Sequence, residues 1–165
     1  MARKPSETTD NAAEQEQSMN DAASDAAENS DLITEYAEDV GSQEAPVPLP
    51  ARDYTAEIRK VEKLLAKSSN SQYYGVHLFV PPEEYPHDFV DGEPDGTTLI
   101  YRRLQVKDTP SGRFNMRRWY EALGLPAPGK RINPMDWYGK KVKLTVAHET
   151  YEGEARARAD RVSRL

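Results

Sequence analysis

The chain has 165 residues, 37% apolar and 30% charged, with no cysteine; the length allows one ordinary domain plus a tail, and the low apolar share points to a part that does not fold. Without cysteine it has neither a disulfide nor a thiolate metal site. The net charge of −6 joins two unlike parts: residues 1–50 carry 2 basic and 12 acidic side chains, and residues 51–165 carry 20 basic and 16 acidic ones.

An acidic arm on a mildly basic domain hints at nucleic-acid or membrane-surface contact by the basic part. A solubilising tail on a domain of ordinary charge gives the same numbers. No apolar run approaches the ~20 residues of a membrane span, and the first residues lack the apolar core of a signal peptide. A cytoplasmic protein with no membrane partner is expected.

Residues 1–45 contain almost no large apolar side chain before Leu32, so burial cannot offset the entropy of ordering them and disorder is expected. Within them, "SDLITEYAEDV" (Ser30 to Val40) places Leu32, Ile33, Tyr36 and Val40 at helical spacing behind a cap at Ser30 or Asp31. It reads as a transient helix, a docking motif or a frayed turn. "APVPLP", Ala45 to Pro50, reads as a stiff extended linker. It marks the boundary between a disordered acidic arm, 1–50, and a folded domain, 51–165.

From Asp53 the pattern alternates, with Tyr54, Ala56 and Ile58 on one face and Thr55, Glu57 and Arg59 on the other. Val61, Leu64 and Leu65 break that period, which predicts a long first strand bent or bulged near Lys60; a helix over 56–66 is the rival. After the turn "SSNS", "QYYGVHLFV" is a second strand with a kink at Gly75. Residues 81–96 hold four prolines and six acids and form an irregular loop.

"TTLIYRRLQV" is a third strand. Ser111 is placed to cap a helix, "RFNMRRWYEALGL", that ends at Gly124. Met116, Trp119, Tyr120 and Leu123 share its core-facing side, opposite Phe114, Arg117, Arg118 and Glu121. "PAPGKRINPMDWYG" is a loop with about one helical turn. "KKVKLTV" is a fourth strand with Val142, Leu144 and Val146 inward, "AHETYEGE" turns, and "ARARADRV" is a fifth strand. The order β-β-β-α-β-β is that of an OB-fold: a five-stranded, partly open barrel with one helix between strands three and four.

Three stretches carry a resemblance: "DYTAEIRKVEKLLAKSSNSQYYGVHLFV", "LIYRRLQV" and "WYGKKVKLTVAHETYEGEARARADRV". Together they resemble a family of small phage-encoded proteins related to single-stranded-DNA-binding proteins. The shared cadence falls here on Tyr54, Ala56 and Ile58, then Trp137, Gly139, Lys140, Val142 and Leu144, then Tyr151 and Gly153. It spans roughly residues 53–163 and departs from the pattern in its long acidic loop and its N-terminal arm. The resemblance implies a non-catalytic role in phage replication or recombination, in the host cytoplasm. Residues 1–45 would then recruit replication or recombination proteins, or cover the basic face as a competitor.

In an OB-fold, strands two and three and the 1–2 and 4–5 connections form the ligand face. Tyr74, Val76, Leu78 and Val80 make one side of strand two, leaving Tyr73, His77 and Phe79 outward. With Ile100, Leu104 and Val106 inward on strand three, Tyr101, Arg103 and Gln105 face out. Such rings can stack on bases at about 1–3 kcal/mol each while cations hold phosphates. Lys63 and Lys67 flank the first hairpin, and Lys141, Lys143, Arg156 and Arg158 project from strands four and five. Aromatics favoured on strands by cross-strand packing alone would look the same.

A domain charge of +4 is modest, so affinity would rest on stacking or homo-oligomerisation, with strong salt dependence. The alternative is a protein-interaction or inhibitor module that acts through its acidic arm or through the loop at 81–96. "DGEPDG" imitates a calcium loop but has Arg102 where the twelfth-position Glu belongs. No catalytic residue, metal site or cofactor is expected.

Overall fold

A computed structural model describes residues 32–165, and the chain divides into two units, Met1–Glu44 and Ala45–Leu165. The expectation of disorder over 1–45 falls mainly on residues 1–31, which lie outside the described residues. In the rest of the first unit, the helical spacing of Leu32, Ile33, Tyr36 and Val40 produces no α-helix. One 3₁₀ turn forms at Val40–Ser42, where the Asp39 carboxylate accepts from the Gly41 N–H at 2.8 Å. All four apolar side chains are exposed. A helix this short buries nothing to offset the cost of its nucleus.

The second unit runs β1 (Asp53–Leu65), β2 (Gln72–Val80), β3 (Thr97–Gln105), α1 (Pro110–Ala122), β4 (Lys141–Tyr151) and β5 (Glu154–Ser163). All ladders are antiparallel, in the order β3-β2-β1-β4-β5. β1 is shared: Asp53 to Glu57 pair with β4, and Glu57 to Leu65 pair with β2. A bulge between Ile58 and Lys60 follows that handover, where the alternation breaks in the sequence, and no helix forms over 56–66. The sheet is not closed by a ladder between β3 and β5, but their edges approach. Arg103 Nη2 donates to Asp160 Oδ1 at 2.7 Å across the gap.

The inner face holds Tyr54, Ala56, Ile58, Val76, Leu78, Val80, Val142, Leu144 and Val146, all buried. Trp137, in a 3₁₀ turn at Pro134–Trp137, is fully buried at their centre. Its ring meets Tyr74, Trp119 and Tyr120 edge-on at 5.2, 5.6 and 6.1 Å, the geometry that ring quadrupoles favour. α1 covers this cluster with Met116, Trp119, Tyr120 and Leu123 and ends before Gly124 at φ 68°. Its N-cap is Thr109, not Ser111: Thr109 Oγ1 accepts from the Gly112 N–H at 3.2 Å, and Pro110 takes the first turn, where no donor is needed.

Two boundaries differ from those expected. Leu49 is 3% exposed in the core, Tyr54 Oη donates to Pro50 O at 2.8 Å and His148 Nε2 lies 2.9 Å from Leu49 O. The expected linker is therefore a strap of the domain, since prolines extend a docked segment as readily as a free one. β4 continues to Tyr151, and the turn is only Glu152–Gly153, both at positive φ (52° and 84°), which matches strand twist in a two-residue hairpin. The loop at 81–96 is irregular but anchored. Tyr85 and Phe89 pack edge-on at 5.5 Å against the core, Tyr85 Oη is 2.7 Å from Thr97 Oγ1, and Glu84 accepts from the Thr55 N–H at 3.2 Å. Among the described residues no helix is long and apolar enough to cross a membrane.

Candidate nucleic-acid interface

Alternation on β2 buries Tyr74, Val76, Leu78 and Val80 and leaves Tyr73, Gly75, His77 and Phe79 on the outer face. Opposite residues of an antiparallel ladder share a face, so Gln105 joins Tyr73, Ile100 joins His77, and Thr98 joins Phe79. From β1, Glu57, Lys60, Glu62 and Leu64 come to the same face. Gly75 leaves a hollow that Leu64 and Ile100 fill; a Cβ there would stand 2.8 Å from Leu64 Cδ1 and 3.5 Å from Ile100 Cγ2.

Tyr101 and Ile100 exchange the faces expected of them. The β2–β3 register shifts opposite Gly75: Tyr74 faces Leu104 while Val76 faces Tyr101. Arg102 and Arg103 both occupy the step between, so the parity of β3 reverses there. Leu104 and Val106 are inward as expected, and Gln105 is outward. Tyr101 instead stacks on Trp119, with centroids 5.6 Å apart and planes within 8°, and burial raises its phenol pKa. Arg103 points into the gap and pairs with Asp160.

The remaining outer-face rings are not bare. The Arg59 guanidinium lies over Phe79, 3.3 Å from the centroid, an interaction of about 0.5–1 kcal/mol at an exposed site. Gly96, at φ 92°, backs the same ring: a Cβ there would fall 2.5 Å from Phe79 Cζ and 2.8 Å from Val80 O. Only glycine fits that approach and that backbone angle. His77 Nε2 lies 3.1 Å from Glu62 Oε2, and Glu62 also pairs with Lys60. Lys60 first and His77 second hold the Glu62 carboxyl below its ordinary value of 4.5. Tyr73 is half-buried at the hairpin end of the face.

The expected cations fall into separate groups. Lys67 sits exposed in the β1–β2 turn, and Lys63 is exposed opposite Tyr74 on the inner side of that hairpin's end. Neither has a carboxylate partner among the described residues. Lys141 and Lys143 extend the outer face across β1, opposite Glu57 and Thr55. Lys143 Nζ is 2.9 Å from Asp53 Oδ2; the Thr145 hydroxyl first, and then Lys143, hold Asp53 below its ordinary 3.8. Arg156 lies 4.7 Å from the Tyr151 ring centroid and 3.6 Å from Glu154. Arg158 bridges Glu149 at 3.4 Å and Asp160 at 3.0 Å.

Two members of this surface were missing from the sequence reading, Arg59 and Tyr151. Arg59 carries a signal in hindsight, the first of two consecutive cations, Arg59 and Lys60, where alternation fails. Tyr151 falls in the stretch "AHETYEGE", which the sequence assigns to a turn, whereas β4 runs through it to Tyr151. No family model matches the chain, and no curated protein matches it.

Proposed function

We propose that the chain is a non-catalytic single-stranded-DNA-binding protein that stacks bases on the outer face of β1–β2–β3. The observation that carries this reading is the patch of Tyr73, His77, Phe79 and Gln105 on one open face, with the Arg59 guanidinium stacked on Phe79. A base can join or replace a guanidinium on a ring, since both present a flat π or cationic face, and the freed cation can then meet a phosphate. Lys63 and Lys67 at the adjoining hairpin supply phosphate contacts without first leaving a carboxylate. The five-stranded order, the helix between β3 and β4 and the opposed edges of β3 and β5 support reading the sheet as an OB-fold-like, partly open barrel. Assignment to phage replication or recombination rests on the resemblance in the sequence.

The test is fluorescence anisotropy of a labelled dT oligomer with the full chain and with residues 45–165, at two salt concentrations. Binding that weakens with salt and is equal or tighter without the arm is the expected result; no binding by either form at low salt refutes the reading. A second reading, a protein-interaction module, is favoured by the exposure of Leu32, Ile33, Tyr36 and Val40, interleaved with Glu35, Glu38 and Asp39. It predicts that removing residues 1–44 abolishes function while DNA binding is absent throughout.

A further inference from the structure

The gap between the edges of β3 and β5 holds a cavity of about 680 Å³, bordered by Tyr101 and Arg103 on β3, Arg118 and Trp119 on α1, and Arg164 just past β5. The stacked rings of Tyr101 and Trp119 form an apolar wall. The two acids of the lining are both engaged. Glu121 pairs with Arg117 at 3.1 Å, and Asp160 accepts from Arg103 at 2.7 Å and from Arg158 at 3.0 Å. Arg118 and Arg164 are exposed and are left without a carboxylate among the described residues. β3 and β5 are the outermost strands of the sheet, so their unpaired backbone N–H groups add donors along the same opening.

Free guanidinium forks match phosphate oxygens, two donors to two acceptors. We infer that this seam is a phosphate-binding site, separate from the outer face of β2. Arg118 and Arg164 grip the phosphate, and Arg103 exchanges Asp160 for the same anion. The site extends the strand-binding reading above and rests on it for the source of the phosphate, a phosphodiester of the strand rather than a free ion.

The test uses ¹⁵N-labelled full-length protein titrated with inorganic pyrophosphate and, separately, with a dT oligomer, following backbone amides and the Trp119 indole N–H. The Arg118→Gln/Arg164→Gln variant serves as control; both positions are exposed, so the fold survives. The expected result is saturable shifts at residues 101–104, 115–122 and 160–164, lost in the variant. The salt slope of dT binding should fall by about 0.7 for each phosphate contact removed. Shifts with pyrophosphate that dT neither produces nor competes away support the anion site and overturn the strand as its source. Tight dT binding with an unchanged slope in the variant overturns the seam site while the outer-face reading stands. Shifts spread evenly over all basic positions, or none, overturn the inference outright.

Discussion

The two faces of one sheet use the same side chains in opposite ways. Inside, Trp137, Trp119, Tyr74 and Tyr120 are held by one another in edge-to-face contacts and are almost wholly buried. Outside, Arg59 lies over Phe79, which Gly96 backs, and Arg156 lies over Tyr151. A ring locked among rings specifies the fold. A ring capped by one exposed guanidinium is held in place yet can change partner at small cost.

The sharpest way to break that contrast is at its centre. Trp137→Ala should lose about 3–5 kcal/mol of stability, the range for emptying a buried aromatic site, read as a fall in the urea midpoint. A loss under 1 kcal/mol would mean that the inner cluster is not what holds the sheet. Leu49→Ala should cost about 2–5 kcal/mol, because Leu49 is a core residue; a protein starting at residue 51 should accordingly be less stable than one starting at residue 45. Equal stability of those two truncations would return the strap to the status of a linker.

Outer-face changes should move binding more than folding. Tyr73→Ala and Phe79→Ala should each weaken dT binding by about 1–3 kcal/mol with a smaller change in the urea midpoint; the reverse ranking would make these rings structural. Arg59→Ala should cost about 0.5–1 kcal/mol of stability.

The smallest effect is on pH. Asp53 and Glu62 are both held below their ordinary values of 3.8 and 4.5. Each therefore contributes stability that is present above its unfolded pKa and is lost as pH falls through the lower folded value. Asp53 is exposed and Glu62 only partly covered, so solvent screens the gain. Denaturation at a pH below 3.8 should show a slight loss relative to neutral pH, reduced in Asp53→Asn. A loss on raising the pH instead would contradict the sign.

Much of this fold was legible because its strands alternate: the inner sets of β1, β2 and β4 and the buried side of α1 stand in the sequence as they do in the structure. What escaped depended on single backbone events. The extra residue at Arg102–Arg103 reverses β3 and sends Tyr101 inward, and no composition marks which of two arginines will bulge. Leu49 sits between prolines, and nothing local says whether an extended segment docks. Most of the proposed stacking patch followed from period-two reasoning: Tyr73, His77 and Phe79 on β2 and Gln105 on β3. Arg59 did not, because its place over Phe79 depends on the bulge after Ile58.

The most direct test of the central claim is dT-oligomer anisotropy of the full-length Tyr73→Ala/Phe79→Ala variant beside the unaltered protein, with urea midpoints measured on both. The expected result is a folded variant whose affinity falls at least tenfold while its salt slope is retained, since stacking is lost and the phosphate contacts remain. Unchanged affinity in a folded variant would contradict it and leave the outer face of β2 without a role in binding.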